Sequence, residues 1–284
     1  MHKVLWSVVI IGSIGVGDSA IGSSRRPDMA MAKAAPVVAR MQVFEVNDEI
    51  PSKNPAEMLA WLRAKYATVT AESCTKMAEA LAQKRNASEL NRIGAVCYKA
   101  GIKAATGDMS TCEPLMLAFA LFCQAAAIGC ICGQNNAACC LELGHGTSKD
   151  EKAAVALYQQ FADKNSSVKN NLADCLQLGI GIEKDEKAAY RLFKEAADAG
   201  NVFAKHHMAR CVFDGCGVDK DEKAAVELYK KAAALGNADA MHDLSYCYSS
   251  GRGVGKNKAE STAWGERALM AGYTPVGELI TNDM

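Results

Sequence analysis

The sequence has no net charge: 32 lysines and arginines are balanced by 32 aspartates and glutamates. A nucleic-acid binder driven by electrostatics needs a basic surface, so no nucleic-acid partner is expected. Proline is scarce, at six residues, and glycines are little clustered, which argues against extensive disorder beyond the first fifty residues. The chain also lacks a nucleophile elbow, a Walker loop, a dinucleotide fingerprint and a His-Glu-x-x-His pair. The glycine-rich run from Gly251 to Gly255 superficially suggests a phosphate loop, but it falls at a turn between two helices of the repeat described below. The expectation is therefore a non-enzymatic chain with no catalytic residue, no cofactor and no metal site.

Long hydrophobic runs are missing too. Val4 to Val16 is apolar apart from Ser7, Gly12, Ser13 and Gly15, which is short for a membrane span. With a weakly basic start and small residues at Gly15 and Gly17, residues 1–20 resemble a secretory signal peptide. That predicts a secretory or extracellular location, with no stable membrane span after processing. A mitochondrial presequence is the alternative, given Arg25, Arg26, Lys33 and Arg40 downstream, although Asp18 and Asp28 count against it. An uncleaved start is a third possibility. Residues 21–53 show no helical period and contain Arg26-Pro27 and Ala35-Pro36, so they read as a linker with a short extended piece at Val43–Val46. Pro55 then opens a helix.

What the chain does have is a sentence written twice. Leu172 to Asn201 and Met208 to Asn237 align at an offset of 36 residues, pairing Cys175 with Cys211, Gly179 with Gly215, Asp185 with Asp221 and Gly200 with Gly236. A fixed period in this range means stacked supersecondary units. Each unit reads as a helix A followed by a helix B. Five A helices carry a cysteine four residues before a glycine: Cys97/Gly101, Cys140/Gly144, Cys175/Gly179, Cys211/Gly215 and Cys247/Gly251. The glycine is expected to end the helix in the left-handed region, and in the last four a second glycine two residues on tightens the reversal. Asp150, Asp185 and Asp221 each precede Glu-Lys-Ala-Ala and are expected to cap the B helices; Lys256 to Lys258 lacks the aspartate. Leu121 to Gly129 repeats Leu228 to Gly236 at 107 residues, extending the array toward the N-terminus.

These residues resemble the Sel-1-like repeat, a relative of the tetratricopeptide repeat. The resemblance rests on Leu172–Ile182 and Lys223–Ala233 and covers residues 135–273 well and 85–134 weakly. It implies an all-α fold, a right-handed superhelical solenoid of antiparallel helix pairs with the A helices on the concave side. It also implies an adaptor or scaffold role without catalysis. The organisation that follows is a targeting segment at 1–20, a linker at 21–53, degenerate repeats forming an N-terminal cap at 54–134, and the array with its C-terminal cap at 135–284.

Twelve cysteines are many, yet most fall on the core stripe of the A helices, where a free thiol behaves as a small hydrophobe. Cys130, Cys132, Cys139 and Cys140 are crowded, without zinc-ribbon spacing; packing, one disulfide and a soft metal all remain open there. Cys216, between two glycines, reads as the most accessible thiol. A cysteine-rich redox or metal-handling assembly factor of an organelle is accordingly the alternative function.

One polar ladder stands out. His206 and His242 are 36 residues apart and share their rung with Asn135 and Asn170; four residues on, the next rung reads Cys139, Asp174, Arg210 and Tyr246. Rungs spaced by four share a helix face, here opposite the core stripe. Asn170, Asp174, His206, Arg210, His242 and Tyr246 are thus the candidate partner-binding residues, suited to gripping a protein or peptide segment in the concave groove. A solvated polar face is the plainer alternative.

Overall fold

The computed structural model describes residues 70–82, 85–104 and 107–273. The targeting segment, the linker, the extended piece at Val43–Val46 and the helix opened by Pro55 all lie outside the described residues. Within them there is no strand. The helices are α1 (Ala71–Ala82), α2 (Ala87–Ala104), α3 (Glu113–Ala127), α4 (Ile131–Leu143), α5 (Glu151–Phe161), α6 (Ser166–Leu178), α7 (Glu186–Asp198), α8 (Val202–Asp214), α9 (Glu222–Ala234), α10 (Ala238–Ser250) and α11 (Lys258–Met270), with a 3-10 turn at Ala162–Lys164. The described residues fall into two compact units that divide between Leu157 and Tyr158.

In the second unit three helix pairs stack in chain order. The A helices α6, α8 and α10 pack on their B partners α7, α9 and α11, and α7 and α9 pack on the next A helix. Each A helix begins at an asparagine, Asn165, Asn201 or Asn237, whose side-chain oxygen accepts backbone N–H groups of the first turn. Sequence inspection had not singled these caps out. The A helices end at Gly179, Gly215 and Gly251, all left-handed, with φ of 75°, 82° and 79°. Asp185 and Asp221 cap α7 and α9 by accepting from the N–H of Ala188 and Ala224. Where the aspartate is missing, Asn257 takes over and accepts from Glu260 N–H. A Lys–Glu pair flanks each of these capping aspartates: Lys184 and Glu186 lie 2.7 Å apart, and Lys220 and Glu222 3.0 Å.

The second glycine of each turn does more than tighten a reversal. At Gly217, with φ 71°, an added Cβ would overlap the backbone carbonyl of Glu186 in the first turn of α7. At Gly253, with φ 70°, it would overlap that of Glu222 in α9. The turns after α8 and α10 are therefore seated, backbone on backbone, against the B helices of the preceding pairs. Beneath the joint, Phe193 and Tyr229 are buried, as are Ala196, Ala197, Ala232 and Ala233, whose small side chains let the next A helix approach closely.

The first unit uses the same parts less regularly. There α1 and α2 pack on α3, and α3 packs on α4. Gly129 follows α3 with φ 87°, matching Gly200 and Gly236 after α7 and α9, so Leu121–Gly129 is the end of a B helix as the 107-residue alignment suggests. Gly146 meets Leu115 as Gly217 meets Glu186. Gly101 corrects the sequence expectation: it does not end a helix but lies inside α2, three residues before its end. Its bare Cα makes room for Leu115, whose Cγ and Cδ2 would stand 2.6 Å from a Cβ there. Lys103 stands where the later turns have their second glycine.

Two substitutions separate conformational strain from the inter-pair joint. Gly200 also has a positive φ, of 92°, but has open space where a Cβ would go. Gly200→Ala should cost about 1–2 kcal/mol. Gly217→Ala should cost at least about 2 kcal/mol more, because the joint must open as well. Urea unfolding midpoints measure both; equal losses would contradict the seating of the turn on Glu186.

Candidate functional site

The six ladder residues sit on α6, α8 and α10, where the repeat puts them, but they are not equally presented. Asn170 and His206 are buried, at 7% and 4% exposure. Asp174 is half-buried, whereas Arg210, His242 and Tyr246 are exposed. The upper rung is thus divided: Asn170 and His206 are turned into contacts between side chains of the A helices, and His242 is left at the surface, its ring stacked 4.2 Å from that of Tyr273.

Those contacts form a polar strap across three A helices. Asn170 Nδ2 donates to Asp174 Oδ2 at 3.1 Å. Asp174 Oδ1 accepts from His207 Nδ1 on α8 at 2.6 Å. His206 Nε2, also on α8, donates to Asp243 Oδ2 on α10 at 2.8 Å. The two imidazoles lie edge to face, with centroids 5.5 Å apart. His207 rests its ring against buried Phe193, 5.0 Å away, and His206 against Tyr229, 5.9 Å away. Hydrogen bonds to a carboxylate are among the stronger kinds, and here they are sheltered by the aromatic rings beneath. His206 Nδ1 and Asn170 Oδ1 are buried with no hydrogen-bond partner among the described residues.

His207 and Asp243 escaped the sequence reading. A signal existed: Asn136, Asn171, His207 and Asp243 recur at the repeat spacing, one residue after the chosen rung. In the first unit Asn136 likewise reaches another A helix, donating to Asn91 Oδ1 at 2.9 Å.

The second rung is the accessible one. Arg210 and Tyr246 border a small pocket of about 180 Å³ between α8 and α10, shared with Asp214, Asp243, Arg252 and the buried Tyr229. Arg252, in the turn between Gly251 and Gly253, is already committed. Its Nε and Nη2 donate to Glu222 Oε1 at 3.0 and 2.7 Å, and its guanidinium lies 4.1 Å over the Phe213 ring. Hydrogen bonds from Arg252 and then Lys220 hold the Glu222 carboxyl below the usual carboxylate range. Arg210 makes no ion pair among the described residues.

All twelve cysteines are free thiols. Those of the repeat are buried at 0–1% exposure, and burial pushes Cys97 and Cys211 up to about 12 and Cys247 to about 11. In the crowded group, Cys130 caps α4 by accepting from Gly133 N–H at 3.4 Å. Cys132 is the exposed thiol, while Cys216 is only partly open. Among the described residues no group of three or more His, Cys, Asp or Glu could hold a metal ion, and no helix is long and apolar enough to cross a membrane.

The Sel1 repeat model matches four consecutive segments, 133–166, 168–201, 202–237 and 238–273. Residues 133–273 belong to the Sel1 repeat family. The stretch the sequence reading found weaker, 85–134, lies almost wholly before the first match. Among solved structures, the chain is similar to a Sel1 repeat protein from Oxalobacter formigenes, with 25% identity and a TM-score of 0.54, over 66% of this chain and 74% of that one. It also matches a protective antigen of uropathogenic Escherichia coli displaying an SLR fold, with 20% identity and a TM-score of 0.48, over 76% of this chain and 49% of that one. No curated protein matches the sequence. The Sel1 repeats of the second unit thus carry both the polar strap and the open second rung.

Within this Sel1 array the strap should be cooperative. Asp243→Ala strands the buried His206 Nε2 and should cost about 1–3 kcal/mol. Adding His206→Leu should recover part of that loss, because the orphaned donor is gone. A double-mutant cycle by urea unfolding reads the coupling; purely additive losses would mean that the His206–Asp243 contact contributes nothing.

Proposed function

We propose that this Sel1 array is a non-catalytic adaptor that binds an extended segment of a partner protein along the A-helix face of α6, α8 and α10. Sel1 repeat proteins generally serve as protein-interaction scaffolds, and the balanced charge of the chain suits a protein rather than a nucleic acid. The observation that carries the reading is the state of Arg210: exposed, without an ion pair among the described residues, beside the exposed Tyr246 at the mouth of a small pocket. Arg210 offers a fork that matches a carboxylate in two parallel bonds. Tyr246, at 48% exposure, offers a large amphipathic ring with few rotamers to freeze on binding.

The six ladder residues then divide into two roles. Arg210, His242 and Tyr246 contact the partner. Asn170, Asp174 and His206 hold the A helices side by side so that the contacting groups keep their spacing. Repeat surfaces bind extended ligands in this manner, each pair contributing one or two side chains at a fixed step. The redox or metal-handling alternative draws little support from repeat thiols that lie buried in the core, where burial raises Cys97, Cys211 and Cys247.

The test compares the wild-type array with Arg210→Glu plus Tyr246→Ala, as bait for partners. Both side chains face out of the core, so unfolding midpoints should change by less than about 0.5 kcal/mol each, while specific partners are lost. Recovery of the same partners in the same amounts by both baits would move the working surface elsewhere.

A further inference from the structure

The turn that closes α8 differs from its counterparts in one respect. At the ends of α4, α6 and α8 the residue five positions after the repeat cysteine returns its backbone N–H to that cysteine's C=O. Cys216 N–H donates to Cys211 C=O at 2.9 Å, beside the Gly215 N–H at 2.8 Å. In this cap geometry a contact between the side chains of the two bracketing residues is common, and Cys216 packs on the small core cluster that contains Cys211. The equivalent pairs are Cys140 with His145, Cys175 with Ile180 and Cys247 with Arg252. At α8 alone among the described repeats both members are thiols.

The backbone bond limits how far apart they can be. Given standard covalent lengths, a 2.9 Å N···O contact keeps the two Cα atoms within about 6.8 Å. Disulfides span about 4.4–6.8 Å between Cα atoms. We propose that Cys211 and Cys216 are a modification site: a dithiol at the α8 cap that small disulfides such as oxidised glutathione convert to an intramolecular disulfide.

The exchange balances as follows. Cys216, the partly open member, loses its proton to water, and its thiolate attacks one sulfur of the small disulfide, releasing one small thiolate. Cys211 then gives up its proton and attacks the Cys216 sulfur, forming the Cys211–Cys216 bond and expelling the second small thiolate. Two protein thiols are oxidised and one small disulfide is reduced, its two thiolates taking up the two protons. Burial raises both thiols, Cys211 to about 12, so the reaction is slow at neutral pH and quickens as pH rises. The amide of Gln177 on α6, whose Nε2 donates to Cys211 Sγ at 3.6 Å, supports the developing charge. The bond would pin the end of the helix that carries Arg210 to the turn seated on Glu186.

Both cysteines lie on one tryptic peptide, Cys211–Lys220, which makes the test direct. The full chain is incubated with oxidised glutathione, folded and in urea, then acid-quenched, alkylated, digested and weighed. The expected result in the folded chain is peptide 211–220 unalkylated and lighter by two hydrogen atoms, while the peptides of Cys175 and Cys247 remain alkylated. Cys216→Ser should abolish the light peptide and leave Cys211 alkylated. A doubly alkylated wild-type peptide would overturn the proposal, as would glutathione retained on Cys216 beside an alkylated Cys211. So would a light peptide formed at the same rate in urea, since sequence proximity would then suffice without the cap.

Discussion

The constraint on which this architecture depends is a backbone-on-backbone contact with no space for a side chain. Gly217 lies on the carbonyl of Glu186 and Gly253 on that of Glu222. Each contact joins the turn of one helix pair to the first turn of the preceding B helix, and each needs a positive φ as well as a bare Cα. Because the contact involves main chain on both sides, it sets the stagger between pairs more tightly than interdigitating side chains would. The alanine pairs Ala196–Ala197 and Ala232–Ala233 follow from the same requirement, since only small groups let the next A helix come down onto the seat.

That stagger decides which polar groups meet. The residues of α8 that face α6 and α10 are fixed once the pairs are in register, and the sequence places His207 opposite Asp174 and His206 opposite Asp243. Each bond costs desolvation of a carboxylate and an imidazole, and the net gain of such a contact is about a few kcal/mol at most. The strap's contribution is as much positional as energetic. It holds three A helices at a spacing that leaves Arg210 and Tyr246 open on a neighbouring rung, with the capping turn of Arg252 closing one side of the pocket between them.

The repeat, its two helices, their glycine ends and the aspartate caps were legible in the sequence because each is a local event that recurs at a fixed offset. Periodicity also located the face that carries the candidate residues. It could not tell a bridging position from an exposed one: Asn170, His206 and His242 occupy one rung, yet two are buried and one is not. What separates them is the neighbour across the helix gap. Asp243 covers His206, whereas His242 has Tyr273 beside it at the edge of the described array. Gly101 was misread for a related reason, since a glycine that admits a packed side chain and a glycine that ends a helix look alike without the partner Leu115 in view. Cys216 was misjudged because the cap folds it back onto the core cluster of Cys211, which the flanking glycines alone do not reveal.

The central claim is that the A-helix face is the working surface of the array, and site-directed photo-cross-linking tests it most directly. A benzophenone amino acid placed at position 246 on α10 samples that face, and one at the exposed position 194 on α7 samples a B helix. Both positions are exposed on their helices, so both labelled chains should fold. The account predicts that position 246 captures a partner polypeptide on irradiation and position 194 does not. Capture from position 194, with none from position 246, would contradict it.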